Sequence, residues 1–202
     1  MSTYDLDFDI ASLPEGWFTA AQIHGLYDLA MATAGPILEV GPWVGRSTSV
    51  ICRALARRRD EKIEFHTVDY GISSEEEWER LFGSPVRNKH KPERYLRHIN
   101  QAGGTIASLK RNLEAQGLRD HVTIHKGDFH AVAPDGPFGL IFCDATHNRR
   151  EIDKNVPALL ERLVEGGVLA CDDINDELFE HLSENYPFRR WVRHELLCVG
   201  YR

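Results

Sequence analysis

Five short apolar runs in this 202-residue chain alternate with amphipathic segments, and each run has a carboxylate at or just beyond its carboxyl end. The runs are Pro36 to Val40, Ile63 to Val68, Val122 to His125, Leu140 to Cys143 and Val168 to Cys171. Between them lie segments with helical spacing: Thr19 to Thr33, Ser47 to Arg58, Thr105 to Gln116, Arg149 to Leu163 and Asp176 to Asn185. Strands that alternate with helices predict a doubly wound α/β fold, a mostly parallel sheet with helices on both faces. The tail, Phe188 to Arg202, fits two antiparallel strands, which brings the expected sheet to seven. Pro157 is expected to kink or split its helix, and Gly166-Gly167 to close that helix ahead of the fifth strand.

Composition narrows the function classes. The balance of 24 basic against 31 acidic residues leaves a net charge of −7, which argues against general affinity for nucleic acid or anionic membrane. Cys52, Cys143, Cys171 and Cys198 lie far apart with no C-x-x-C pair, as expected for buried thiols in a reducing cytoplasm. The start, MSTYDLDFDI, is acidic where a signal peptide is basic, and no apolar run approaches the roughly 18 residues of a membrane span. The expectation is one cytoplasmic domain over 1–202, with an N-terminal helical segment at 1–34 and an insertion at 71–104. That insertion is polar and too long for an ordinary connection, so it reads as a lid over a site.

In a parallel sheet, ligands collect beyond the carboxyl ends of the strands. Glu39, Gly41 and Gly45 fall at the first such end, Asp69 at the second and Asp128 at the third. Asp144 and His147 follow the fourth strand, and Asp172-Asp173 the fifth. The first loop, E-V-G-P-W-V-G-R-S, spaces its glycines four apart and has neither G-x-G-x-x-G nor G-K-[ST], which leaves a nicotinamide-dependent dehydrogenase as a poor fit. A glycine loop followed by Ser47 at a helix start suits a carboxylate or other small anion. Asp69 can accept both hydroxyls of a ribose, while Asp172-Asp173 has a plainer alternative as a helix cap.

The stretches ILEVGPWVGRST, DY, GDFH and CDATH…GGVLACDD, in that order over Trp17 to Asp173, resemble a class I S-adenosylmethionine-dependent methyltransferase. More narrowly they are similar to the small metal-dependent O-methyltransferases related to catechol O-methyltransferase and the macrolide-sugar methyltransferases. The resemblance implies a Rossmann-like fold, with Glu39, Gly41, Trp43, Gly45 and Ser47 around the methionine end of S-adenosylmethionine. It implies Asp69 at the ribose, Asp128 and Phe129 at the adenine edge, and Asp144 beside the cofactor. Asp144, Asp172 and Asp173 match three metal-ligand positions, the third an aspartate where relatives often carry asparagine.

Three carboxylates suit Mg²⁺, or else Mn²⁺ or Ca²⁺, better than zinc. Such a cation lowers the pKa of a bound hydroxyl, and His147, with an unperturbed pKa near 6.5, is placed to take its proton. The implied reaction is methyl transfer to a hydroxyl of a small molecule, with His147 and Asp144 as catalytic residues. The alternatives are a metal-independent methyltransferase and a non-catalytic protein that only binds S-adenosylmethionine. The basic run Arg87 to Lys91, with Arg94, Arg97 and His98, is either a solvated surface or a means of recognising an anionic acceptor. Trp78 and Phe82, four apart, either wall the site or dock the lid. Relatives are often homodimers.

Overall fold

The computed structural model describes residues 3–58 and 62–202. Among them, strands β1 (Ile37–Val40), β2 (Phe65–Asp69), β3 (Thr123–Lys126), β4 (Phe138–Cys143), β5 (Leu163–Cys171), β6 (Arg190–His194) and β7 (Leu197–Tyr201) form one sheet. Its order is β3-β2-β1-β4-β5-β7-β6. The first five strands pair in parallel, and β7 runs antiparallel between β5 and β6. The chain steps outward from β1 to β3 and then returns to place β4 on the other side of β1. That reversal opens a crevice between the carboxyl ends of β1 and β4, the place where such sheets bind ligands.

Helices cover both faces. On one side, α1 (Ala20–Ala32), α2 (Arg46–Arg57) and α5 (Gly104–Ala115) bury Ile23, Leu26, Val50, Ile51, Leu109 and Leu113. On the other, α7 (Arg149–Glu161) and α8 (Asp176–Asn185) bury Ile152, Val156, Leu159 and Leu182. The insertion between β2 and α5 folds as α3 (Glu75–Phe82) and α4 (Glu93–Ile99), gathered on a small core of Ile72, Trp78, Val86 and Ile99. A one-turn helix, α6 (Phe129–Val132), follows β3. Helix starts agree with local chemistry: Thr19 and Gln22 form a reciprocal capping box on α1, and Asn148 and Asn175 cap α7 and α8.

Two expectations are corrected. Helix α7 is not split at Pro157 but continues through it to Glu161. Both Pro157 and Asp153, whose carbonyl loses its partner, lie on the exposed face, so water satisfies the freed group. Meanwhile Ile152, Val156 and Leu159 are fully buried on the other face and hold the helix to the sheet. The second failure is Gly166-Gly167, which does not end the helix; it lies inside β5, which begins at Leu163. Pairing with β4 jumps from Phe138↔Leu163 to Leu140↔Val168, so the glycines form a bulge, with Gly166 at φ +77°.

Candidate active site

A cleft of about 960 Å³ opens at the carboxyl edge of the sheet. Its walls include Gly41, Pro42, Trp43 and Ser47 after β1, Asp69 and Tyr70 after β2, and Phe129 after β3. Asp144, Ala145 and His147 after β4 and Asp172-Asp173 after β5 complete that edge. The 71–104 segment supplies Trp78, Leu81, Phe82, Lys89 and Tyr95, and the N-terminal stretch supplies Glu15 to Phe18.

The glycine loop is shaped by what stands behind it. Gly41 has φ +87°, and a Cβ there would meet the Asp144 carbonyl oxygen at 2.7 Å, so β1 and β4 can converge only on a glycine. Gly45, at φ +101°, begins α2 packed on Leu109. Glu39 does not face the cleft: it is fully buried, and its two oxygens accept the hydroxyls of Ser47 at 2.6 Å, Thr48 at 2.7 Å and Thr67 at 2.7 Å. Burial, with the charge of Asp144, pushes its carboxyl up to about 7 against the three donors. Glu39 therefore ties the loop to α2 and β2 from inside.

Asp69 accepts the Gly71 N–H at 2.6 Å and the Thr105 hydroxyl at 3.4 Å, which leaves its second oxygen toward the cleft it lines. Burial raises its carboxyl to about 6. Asp128 is absent from the cleft wall; it caps α6 by accepting the His130 N–H at 3.1 Å, and its neighbour Phe129 lines the cleft instead.

At the ends of β4 and β5, the ligand atoms of Asp144, His147 and Asp173 lie within 4.8 Å of one another. His147 Nε2 is 3.3 Å from Asp144 Oδ1 and 3.7 Å from Asp173 Oδ2, and its Nδ1 is 3.0 Å from Glu151 Oε2. The hydrogen bonds to Asp144 and Glu151 push the imidazole up to about 10, despite burial. The reading of His147 from its unperturbed pKa is thereby altered: in this arrangement the ring is an imidazolium at neutral pH. Asp172 does not join the cluster. Its Oδ1 accepts the Gln22 amide at 2.5 Å, and burial together with the charge of Asp144 holds its carboxyl well above the usual range. Nor does Asp172-Asp173 cap α8, since Asn175 does. Trp43 at φ +51° and Asp173 at φ +60° are left-handed, a conformation that costs roughly 1–2 kcal/mol for a non-glycine residue, and both face the cleft.

The set Asp144, His147 and Asp173 can offer a divalent cation two carboxylate oxygens and, once the imidazolium has lost its Nε2 proton, a ring nitrogen. Burial first, and then the charge of Asp144, raises both Asp172 and Asp173, and the part due to Asp144 is relieved by a positive charge placed among them.

Several cleft residues carry no sequence signal. Glu15 and Trp17 sit in a polar start without periodicity, and reach the site because Arg46, the first residue of α2, donates to the carbonyls of Phe18 and Pro14 at 3.2 and 3.0 Å. Glu15 then binds Arg94, Arg97 and His98 of α4, and Trp17 stacks on Tyr95 at 5.1 Å. Gln22, which joins the site through Asp172, carried no reading in the sequence. Glu151 had one available signal, its place in the first turn of a predicted helix that follows His147 closely. Trp78 and Phe82 fulfil both expectations, Trp78 docking the segment at 5% exposure and Phe82 standing 48% exposed in the cleft wall.

A sheet of this order, with a glycine loop at β1, a carboxylate at β2 and a cleft across the switch point, is the Rossmann-like fold of the class I methyltransferases. The chain matches the methyltransferase domain family over residues 38–174 and belongs to it. The structure resembles cofactor-bound Rv0187 from MTB, at 18% identity over 95% of this chain and 84% of that one, with a TM-score of 0.62. It also resembles the O-methyltransferase NovP, at 15% identity over 94% and 84%, with a TM-score of 0.64. A third likeness is to S-adenosylhomocysteine-bound PaMTH1 of Podospora anserina, at 17% identity over 90% and 77%, with a TM-score of 0.57. At these identities the likeness is one of fold. No curated protein sequence matches. No helix among the described residues is long and apolar enough to cross a membrane.

Proposed function

We propose that this protein is an S-adenosylmethionine-dependent O-methyltransferase acting on a hydroxyl of a small molecule. The observation that carries the reading is the meeting of Asp144, His147 and Asp173 in the cleft that the glycine loop and Asp69 also line. The loop from Gly41 to Ser47 takes the methionine end of the cofactor, stiffened by Glu39 behind it. Asp69 takes the ribose hydroxyls. Phe129 flanks the adenine, and Asp128 acts through it by capping α6.

The acceptor hydroxyl meets Asp144 and Asp173. As its oxygen bonds to the methyl carbon, the carbon–sulfur bond breaks, sulfur keeps the electron pair and the cofactor leaves as S-adenosylhomocysteine. The hydroxyl proton passes to His147 Nε2 after the ring has lost its own Nε2 proton to solvent, a loss made easier when Nε2 gives up its contact with Asp144 and the imidazole pKa falls toward its ordinary value. A divalent cation held by Asp144 and Asp173, Mg²⁺ or Mn²⁺ by its oxygen preference, would polarise the acceptor oxygen. Positioning supplies the rest of the rate.

A metal-independent version is favoured by one observation: the His147 imidazolium already places a positive charge between the carboxylates. Calorimetry with S-adenosylhomocysteine, in EDTA and in excess Mg²⁺, tests the cofactor site, and micromolar binding in both is expected. Transfer of labelled methyl to a panel of diols, catechols and sugars, with and without EDTA, then separates the two versions. Absence of S-adenosylhomocysteine binding in either condition would refute the assignment.

A further inference from the structure

The 71–104 segment carries the main concentration of cations in an acidic chain, and the structure divides it. Arg87 donates to both oxygens of Glu75, at 2.8 and 2.9 Å. Arg94, Arg97 and His98 converge on Glu15 at 2.6, 3.4 and 3.3 Å. These four hold the segment together and to the N-terminal stretch. Lys89 is the one cation of the run that lines the cleft, and among the described residues it makes no ion pair within 4.0 Å. Its ammonium stands over the Trp78 ring, 5.7 Å from the centroid, and its charge reaches Asp173 across the cleft.

Two neighbouring features ask for the same kind of ligand. The indole Nε1 atoms of Trp78 and Trp43 are both buried without an acceptor, in side chains that line the cleft. Further, Trp17, Leu81 and Phe82 are 48%, 38% and 48% exposed and line this same cleft, a concentration of exposed apolar surface that marks a binding groove. The other cleft cations that make no ion pair among the described residues, Arg150 and Lys154, belong to α7.

Resting on the O-methyltransferase reading, we propose that Lys89 is the residue that selects the acceptor, and that the acceptor carries a carboxylate or phosphate beside its hydroxyl on an apolar body. The hydroxyl sits at Asp144, His147 and Asp173, the anionic group meets the Lys89 ammonium, and Trp17, Leu81 and Phe82 cover the apolar remainder. Lysine suits this as a mobile point charge on a flexible stem, able to follow either anion.

The test is calorimetric titration of the protein saturated with S-adenosylhomocysteine. The probes are 4-hydroxybenzoate, 4-hydroxyphenyl phosphate and the neutral methyl 4-hydroxybenzoate, with wild type, Lys89→Met and, as a control, Lys154→Met. At least one anion is expected to bind about tenfold or more tightly than the ester, the value of one charge-assisted hydrogen bond. That preference disappears in Lys89→Met, persists in Lys154→Met, and its sign between the two anions identifies carboxylate or phosphate. Equal binding of acid and ester, no binding of either anion, or an unchanged preference in Lys89→Met overturns the proposal. Equal loss in both variants does so too, since it would reflect a general field. Because S-adenosylhomocysteine affinity is measured first in each protein, loss of the methyltransferase reading appears separately.

Discussion

Glu151 grips His147 twice: its Oε2 lies 3.0 Å from the imidazole Nδ1 and 2.9 Å from the His147 backbone nitrogen. One carboxylate thus fixes both the ring and the peptide that carries it, and it leaves Nε2 turned to Asp144 and Asp173.

The pair makes stability depend on pH with a definite sign. The His147 pKa, raised to about 10 in the folded protein, contributes stability fully below its unfolded value near 6.5, and loses it as pH rises toward 10. Glu151, lowered to about 2 by the bond to His147, contributes above about 4.5 and loses it as pH falls toward 2. Both groups are partly exposed, so solvent screening limits the effect to about 1 kcal/mol or less. Thermal unfolding in EDTA should show wild type declining between pH 6.5 and 10 more steeply than Glu151→Gln. NMR titration should place the His147 ring lower in that variant, and identical curves would remove the coupling.

The structure gathers Asp144, His147 and Asp173, whereas the resemblance implies Asp144, Asp172 and Asp173 as metal ligands, and Mn²⁺ binding distinguishes the two sets. Asp144→Asn and Asp173→Asn should each weaken Mn²⁺ by about tenfold or more, each removing a charged ligand. Asp172→Asn should leave it within about threefold, because Asp172 is engaged with Gln22 and an asparagine oxygen still accepts that amide. Electron paramagnetic resonance titration reads all three directly. Equal loss in Asp172→Asn would restore the three-aspartate site.

Asp69 predicts how cofactor affinity follows pH. Its carboxyl is raised to about 6, and ribose hydroxyls donate to the ionised form, so S-adenosylhomocysteine should bind more weakly as pH falls from 7 to 5. Asp69→Asn should bind weakly, by about tenfold or more, and without that dependence. Calorimetry at three pH values checks both statements.

Glu39 anchors the glycine loop after β1 from inside the fold. Glu39→Ala strips the acceptor from three buried hydroxyls and should cost about 3 kcal/mol, while Glu39→Gln, which keeps one oxygen, should cost about 1 kcal/mol. Urea unfolding measures the loss. S-adenosylhomocysteine affinity should fall in both variants; an alanine variant as stable as wild type would exclude the anchoring role.

Most of the scaffold was legible because it is written in local terms. The period of the apolar residues marked the strands and helices, capping residues such as Thr19 and Asn175 agree with the helix starts, and carboxylates recurring after strands pointed to one edge of the sheet. The readings that failed turned on environment. Pro157 is tolerated because its face of α7 meets water, and Gly166-Gly167 bulges because β4 pairs on both sides of it.

The sequence by itself determined the order of strands and helices and which side chains arrive at the cleft after β1, β2, β4 and β5, since a strand end delivers its next residues to one edge whatever surrounds it. Only the tertiary structure decided their duties. Glu39 turned inward because three hydroxyls from α2 and β2 surround it, and Asp172 turned to Gln22 because α1 packs against the end of β5. His147 became a cation because Asp144 and Glu151 flank it, and Lys89 was left facing the cleft because Glu15 and Glu75 engage its neighbours. Charge state and partner choice depend on distances between residues far apart in the chain, and no local pattern encodes those distances.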